Sequence, residues 1–279
     1  MTRLALTAAL VCVLAAACGA DGQSAQATAA TTRPPTFPNG DVQLAFTLDL
    51  PAGQAPFPAV VFGHGSGRMT RHDMAGLAAQ WTRLGFAVLR FDKRGVGEST
   101  GTFVFVGTKD SPEVFPQLAS DVAAGVRFLR TRPDIDAKKI GLAGWSQAGW
   151  ILPLAARELG DVSFMALFSG PVCTVGQEMY YSDLAENTTR PLAEVNPLMP
   201  AFNGPHGYDP VPVLQALRVP SLWLLGTGDR SIPIETTLAN LKTLAGAGHP
   251  FEWKTYDGLD HGLSPQIWED VGRWVERFK

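Results

Sequence analysis

The chain has 279 residues, of which 46% are hydrophobic and 18% are charged, a composition typical of a folded globular protein. It excludes a chain that is disordered along its whole length. The formal net charge is −3, and no run of Lys or Arg provides the basic surface that phosphate backbones require, so we expect no nucleic-acid partner.

The first residues have the order of an export signal. Arg3 precedes an apolar run over residues 4–17, which is shorter than the ~20 residues needed to cross a membrane. The run ends at Cys18 in a junction that resembles a bacterial lipobox, although Leu14 stands one place too far upstream. We expect a signal peptide over residues 1–17 and a lipid on Cys18, the only predicted link to a membrane. Export as an unanchored secreted protein is the alternative.

The next segments predict a flexible tether followed by one α/β domain. Residues 18–40 are rich in Ala, Thr, Gln and Pro without a periodic apolar pattern, which is typical of a tether. Residues 41–279 alternate short apolar runs with segments of helical period, and this alternation predicts a mostly parallel sheet with helices on both faces. Besides an early strand at 42–48, the predicted strands are 59–63, 86–91, 140–143, 164–168, 222–225 and 251–256.

Residues 171–212 interrupt this alternation. They lack strand signals and mix large apolar side chains with prolines, which predicts a partly helical cap inserted over the sheet. Together with a tryptophan at the edge of the sheet, the large apolar residues of the cap are candidates for a substrate pocket. The candidate substrate-binding residues are Trp145, Tyr180, Tyr181, Met199 and Phe202.

The candidate nucleophile is Ser146. It lies in the sequence Gly-Trp-Ser-Gln-Ala-Gly (residues 144–149), directly after a predicted strand and before a helical segment. A serine on a sharp turn between strand and helix projects its hydroxyl above the sheet, provided that small residues flank the turn. The alternative interpretation is a serine that only caps the helix.

A glycine-flanked loop supplies the candidate oxyanion hole. The strand that ends at Phe62 runs into the sequence His-Gly-Ser-Gly (residues 64–67). Attack by a serine on an acyl carbonyl generates an oxyanion that two backbone N–H groups must stabilise. We expect these donors to be the N–H groups of Gln147 and Ser66. A plain turn between a strand and a helix would also require glycine.

The candidate base and acid follow the last two predicted strands. Of the five histidines, only His261 lies on the loop between the last strand and the final helix. Asp229 follows the strand at 222–225, at the edge where Ser146 is expected. The imidazole would take the proton of Ser146, and the carboxylate would hold the imidazole. Asp260 and Asp257 are weaker candidates for the acid.

The order of these motifs resembles the α/β-hydrolase superfamily across the whole predicted domain. The resemblance includes the segment Asp-Lys-Arg-Gly-Val-Gly-Glu-Ser (residues 92–99). For Asp92 and Arg94 in this segment, the resemblance implies structural rather than catalytic roles. The chain is similar to bacterial carboxylesterases near the serine aminopeptidase and dipeptidyl-peptidase-like hydrolases. Many of that group carry Glu and Gly where this chain has Gln147 and Ala148.

The residues and the resemblance together predict an exported serine hydrolase that cleaves small-molecule carboxylic esters through an acyl-enzyme, without a metal or an organic cofactor. One alternative is an aminopeptidase or amidase of the same fold. In that case the acidic residues Glu178, Asp183 and Glu186 of the cap would bind a free amino terminus. A second alternative is a binding lipoprotein without catalytic activity. No feature of the sequence predicts an oligomeric state.

Overall fold

A computed structural model describes residues 33–186, 188–262 and 264–279. The predicted signal peptide and Cys18 lie outside the described residues. Among the described residues, eight strands form one sheet in the order β1-β2-β4-β3-β5-β6-β7-β8. The strands are β1 (Thr36–Asn39), β2 (Val42–Asp49), β3 (Phe57–Gly63), β4 (Ala87–Phe91), β5 (Ile135–Trp145), β6 (Met165–Phe168), β7 (Ser221–Gly226) and β8 (Phe251–Tyr256).

Strands β3 to β8 are parallel to one another, whereas β2 pairs antiparallel with both β1 and β4. The helices are α1 (Ala75–Arg83), α2 (Ser111–Arg130), α3 (Ala148–Leu159), α4 (Val175–Ala185), α5 (Leu192–Val195), α6 (Val211–Ala216), α7 (Ile234–Gly246) and α8 (Ile267–Val275). Two 3₁₀ segments, Asn196–Ala201 and Glu276–Phe278, complete the described elements. The predicted α/β architecture with a mostly parallel sheet is confirmed.

The sheet is buried on both faces, which explains why its central strands read as continuous apolar runs. Successive residues of a strand point to opposite faces, so Leu142 of β5 joins one core cluster and Ala143 joins the other. Helices α2, α3, α6 and α7 contribute to the first cluster, and α1 and α8 contribute to the second. The two layers hold the carboxyl ends of β3 to β8 along one edge.

The first strand differs from the sequence prediction, which placed residues 36–39 in the tether. These residues pair with β2 as an edge strand, and the buried ring of Phe37 contacts the rings of Phe46, Phe91 and Phe128. Pro38 conceals this strand in the sequence, because proline cannot donate to a ladder and is tolerated mainly at sheet edges. The ordered domain therefore begins before residue 41.

Between β6 and β7 lies the segment predicted as a cap. It contains α4, α5 and the 3₁₀ segment Asn196–Ala201, and it has a small apolar core formed by Tyr181, Ala185 and Val195. Helix α4 begins at a capping box in which Thr174 and Gln177 bond to each other's backbone N–H groups. None of the helices described here is long and apolar enough to cross a membrane.

Candidate active site

Ser146 occupies a strained turn between β5 and α3. Its φ angle of 53° lies in the left-handed region, which residues with a side chain rarely adopt. Its N–H donates to the carbonyl of Phe168 at 2.9 Å, and its carbonyl accepts from the N–H of Gly149 at 2.8 Å. A Cβ atom on Gly144 would lie 2.5 Å from the Cβ of Ala148, so the small residues are required for this close approach. The half-buried side chain is thereby held at the carboxyl edge of the sheet.

Asp229 and His261 meet on the loops that follow β7 and β8. The Nδ1 atom of His261 lies 2.8 Å from Oδ2 of Asp229, whose side chain is fully buried. The other carboxylate oxygen, Oδ1, accepts from the backbone N–H groups of Ser231 at 2.8 Å and Ile232 at 2.9 Å. Both oxygens of the carboxylate are therefore bonded, which fixes its plane toward the imidazole.

Close contact between the two loops brings these side chains together. The N–H of Gly228 donates to the carbonyl of Leu259 at 2.8 Å, and a Cβ atom on Gly226 would lie 2.2 Å from the same carbonyl oxygen. Two side chains from other parts of the chain donate hydrogen bonds to the backbone of these loops. The Tyr181 hydroxyl donates to the carbonyl of Asp229 at 2.8 Å, and the Ser169 hydroxyl donates to the carbonyl of His261 at 3.0 Å.

The hydrogen bonds of His261 define its tautomer. The indole Nε1 of Trp145 lies 3.3 Å from Nε2 of His261, and an indole N–H only donates. Nε2 therefore accepts, and the proton of the neutral ring is on Nδ1, from where it is donated to Asp229. In this tautomer Nε2 carries the lone pair that a base uses, and the Trp145 indole N–H occupies it here. Among the described residues, no hydrogen bond joins the Ser146 hydroxyl to His261.

Ser146 and His261 line the same cavity. It has a volume of about 290 Å³, and its other lining residues are Gly65, Ser66, Met69 and Trp145. The structure thus brings the candidate nucleophile, the candidate base and the glycine-flanked loop to one place, with Asp229 behind His261. The catalytic roles of these residues stay predictions.

Of the two residues predicted to donate to the oxyanion, Ser66 lines this cavity, whereas Gln147 is buried next to Ser146 in the chain and is not one of the lining residues. Within the described ranges, neither the backbone N–H of Ser66 nor that of Gln147 donates to an acceptor of the protein. Gln147 precedes the first residue of α3, so its N–H lies at the positive end of that helix. The role of both N–H groups stays a prediction.

Lys93 is a buried residue that the sequence interpretation missed. Its ammonium donates to the carbonyls of Gly65 at 2.9 Å and Gly67 at 3.4 Å and to Oε1 of Gln147 at 2.8 Å. Burial lowers the pKa of Lys93 to about 8. The motif at 92–99 contained this lysine, but only the packing of three separate segments shows that it bonds to both sides of the predicted oxyanion hole.

His64 is buried away from the candidate base. Its Nε2 bonds to the carbonyl of Phe91 at 2.7 Å, so this nitrogen carries the proton. Burial, followed by the charge of Lys93, lowers the pKa of His64 to about 4, and the ring is neutral near pH 7. Asp92 accepts from the N–H groups of Arg71 and Glu98, and Arg94 pairs with Asp121. These contacts fix the loops beneath the cavity.

The structure separates the candidate substrate-binding residues. Among the residues that line the Ser146 cavity, Trp145 is the only one of the five predicted. Tyr181 is buried in the core of the cap, where Met199 packs against it, and the ring of Tyr180 lies 5.5 Å from that of Phe202. These four residues pack within the cap because its helices need an apolar core of their own.

No group of three or more His, Cys, Asp or Glu side chains that could hold a metal ion occurs in the part of the chain that the structure describes.

The chain is similar to proteins of several kinds. A family model described as the prolyl oligopeptidase family (Peptidase_S9) matches residues 73–275. The esterase EstD of Thermotoga maritima is 25% identical over 259 residues, which cover 82% of this chain and 60% of that protein. An uncharacterized 31.7 kDa protein of Escherichia coli is 29% identical over 158 residues, or 54% of this chain and 52% of that protein. The chain therefore spans only about half to three fifths of the length of these curated relatives.

Among solved structures, the Pyrococcus furiosus esterase Pf2001 superimposes with a TM-score of 0.66 over 87% of this chain and 89% of its own, at 18% identity. At that identity the likeness establishes the fold alone. The predicted resemblance to the α/β-hydrolase superfamily is confirmed, and so is the predicted place of the chain among families of serine hydrolases. The family model covers well over half of the chain, and the chain therefore belongs to the prolyl oligopeptidase family.

Proposed function

We propose that the protein is a serine hydrolase that cleaves carboxylic esters, with Ser146 as nucleophile, His261 as general base and Asp229 as the group that orients the imidazole. One observation carries the proposal. His261 donates from Nδ1 to the buried Asp229, and the ring lines the same cavity as Ser146. A base in this tautomer accepts a proton only at Nε2, which is the geometry that activation of a serine hydroxyl requires.

The reaction then runs through two acyl-transfer steps. The Oγ of Ser146 attacks the carbonyl carbon while its proton moves to Nε2 of His261. The N–H groups of Ser66 and Gln147 stabilise the negative oxygen of the tetrahedral intermediate. The intermediate collapses as His261 gives its proton to the departing alcohol. Water, activated by the same nitrogen, attacks the acyl-enzyme and releases the acid.

The names of the relatives and the lining of the cavity support an ester as substrate. EstD and Pf2001 are called esterases, whereas the matching family model is named after a peptidase. An aminopeptidase needs a carboxylate near the reacting centre to bind the amino terminus. The acidic residues of the cap, Glu178, Asp183 and Glu186, do not line the Ser146 cavity. We therefore favour hydrolysis of esters, with peptides and amides as poorer substrates.

Two measurements test this proposal. We expect a fluorophosphonate to label the folded protein, with peptide mass spectrometry locating the adduct on Ser146. Labelling at another residue, or none, contradicts the catalytic assignment and favours a binding protein. We also expect p-nitrophenyl butyrate to be cleaved with a kcat/KM at least a hundredfold above that of an aminoacyl p-nitroanilide. The reverse order would assign a peptidase.

We further propose that the protein is exported, because Arg3 and the apolar run before Cys18 have the order of an export signal. Expression of the full chain in a bacterial host, followed by mass spectrometry of the mature N-terminus, tests this. We expect an acylated Cys18 in the membrane fraction. An uncleaved N-terminus contradicts export, and a cleaved but unacylated one contradicts the lipid.

A further inference from the structure

A second cavity adjoins the one at Ser146. It has a volume of about 400 Å³ and is bounded by α1, by the end of β3 and by Trp268 near the start of α8. The two cavities share Gly65, Met69 and Trp145 as lining residues. We call this space the side cavity. The side chains of Met69 and Trp145 therefore border both spaces.

The wall of the side cavity is mainly apolar. The large apolar side chains of the wall are Phe62, Met69, Met74, Leu77, Trp145 and Trp268, while Asp73 and Gln80 supply its polar groups. Asp73 accepts from the backbone N–H and the hydroxyl of Thr70, so its carboxylate is already bonded within its own turn. Thioether and aromatic surfaces of this kind accommodate alkyl chains and rings.

We propose that the side cavity binds the apolar arm of the ester whose carbonyl lies at Ser146. This inference rests on the proposed esterase function and gives it a substrate class, namely esters with an alkyl or aryl arm of several carbons. Burial of each additional methylene group raises kcat/KM about threefold to fourfold until the cavity is filled. The arm belongs either to the acyl group or to the alcohol of the ester. A series of esters that varies the acid and a series that varies the alcohol distinguish these two cases.

Gly76 provides a way to fill the cavity without disturbing the wall. It lies on α1 and lines the side cavity, and a Cβ atom added there meets no atom within 4 Å. The variant Gly76→Leu places an isobutyl group in this space and replaces glycine in a helix, which favours folding. Gly246→Leu is the matched control, because Gly246 lies in helix α7, also has open space at its Cβ position and lines neither cavity.

The test measures kcat/KM for two series of substrates. The first contains p-nitrophenyl esters from acetate to decanoate, and the second contains acetate esters of alcohols of the same lengths. We expect the wild type to prefer longer members in one of the two series, and we expect Gly76→Leu to remove that preference. Gly246→Leu should retain the preference.

A chain-length preference that persists unchanged in Gly76→Leu would overturn the inference, as would a wild type without preference in either series. Failure of the proposed function gives a different result, since no ester of either series would then be hydrolysed.

A separate observation concerns Lys93. The residue is only 2% exposed. Its ammonium donates to the carbonyls of Gly65 and Gly67 on one side and to the side chain of Gln147 on the other. These bonds join the loop after β3 to the first turn of α3. The two segments carry the candidate donors, Ser66 and Gln147. Gln147 lies 54 residues from Lys93 in the sequence.

We infer that Lys93 is a positioning residue that sets the separation of the two oxyanion donors. The inference rests on the proposed function. Donors placed for the oxyanion act mainly in the transition state, so their displacement lowers kcat with little change in KM. For Lys93→Met we expect kcat to fall about a hundredfold, the loss typical of one oxyanion donor, with KM for p-nitrophenyl butyrate within threefold of the wild type.

Gln147 supplies a second test that leaves the buried lysine in place. Gln147→Glu keeps an oxygen that accepts from Lys93, whereas Gln147→Leu removes this acceptor. We therefore expect kcat of Gln147→Leu to lie at least tenfold below that of Gln147→Glu. A merely structural role would not separate these two variants by kcat at equal melting temperature. Equal kcat values for Gln147→Glu and Gln147→Leu would overturn the inference. A higher KM at unchanged kcat in Lys93→Met would do the same.

Discussion

The indole N–H of Trp145 donates to Nε2 of His261 at 3.3 Å. This nitrogen is the one that must accept the proton of Ser146 in the proposed reaction. The indole and the serine hydroxyl therefore compete for one lone pair, and the indole bond has to break before the serine is activated.

The variant Trp145→Phe tests this competition. It keeps an aromatic ring at the wall of both cavities and removes the donor. A hydrogen bond of this kind contributes about 1 kcal/mol, so its loss should raise the rate of phosphonylation of Ser146 by about twofold to fivefold. The measurement is the inactivation rate with a small fluorophosphonate at saturating concentration. A tenfold fall in that rate would mean that the indole assists the base.

A second prediction concerns the close contact of the loops after β7 and β8. A Cβ atom at Gly226 would lie 2.2 Å from the carbonyl oxygen of Leu259, a backbone atom that moves only with its loop. Gly226→Ala should therefore separate Asp229 from His261, lower kcat/KM at least tenfold and destabilise the fold by about 1–3 kcal/mol.

Gly246→Ala is the control for this substitution, because a Cβ atom there meets nothing within 4 Å. We expect it to leave kcat/KM unchanged and to leave stability unchanged or slightly raised. Kinetics and urea unfolding of both variants provide the comparison. Full activity in Gly226→Ala would contradict the importance of the contact.

The sequence was sufficient to predict most of the sheet and the three loops that carry Ser146, Asp229 and His261. Ser146 and Asp229 follow buried parallel strands whose ends read as apolar runs, and His261 follows the half-exposed edge strand β8. The carboxyl ends of these parallel strands lie at one edge, so topology alone brings the three residues there. Pro38 concealed β1, since its strand is short and lies at the edge of the sheet.

The remaining features depend on packing between segments that are distant in the chain. Lys93 bonds to two loops, and the side cavity forms where α1 meets Trp145 and Trp268. No periodicity or spacing in a single sequence encodes such contacts. Tyr181 and Met199 of the cap are predicted as pocket residues from the sequence, but in the structure they belong to the cap's own apolar core.

A third prediction concerns the pH dependence of stability. Burial, followed by the negative charges of Glu186, Asp229 and Asp183, raises the pKa of Glu178 to about 8. The folded state therefore holds a proton that the unfolded chain releases near its ordinary pKa of 4.5. Because the folded state binds more protons in this interval, stability decreases as the pH rises from about 5 to about 8.

Glu178→Gln should remove much of this decrease in stability and raise the free energy of unfolding at pH 8 by on the order of 2 kcal/mol. This value is smaller than the full pKa shift would give, because the side chain is only partly buried and solvent screens its charge. Glu113→Gln is the control, since Glu113 is exposed on α2 and its charge is not one of those that raise the pKa of Glu178. Unfolding in urea at pH 5.5, 7 and 8.5 gives the slopes. Parallel pH profiles for the wild type and Glu178→Gln would contradict the prediction.

The hydrolysis of p-nitrophenyl butyrate by Ser146→Ala, compared with the wild type at equal melting temperature, tests the central claim most directly. The account predicts that kcat/KM falls by a factor of about 10³ or more, because removal of the nucleophile leaves only the contributions of the oxyanion donors and of binding. A variant that retains a tenth of the wild-type value would contradict it.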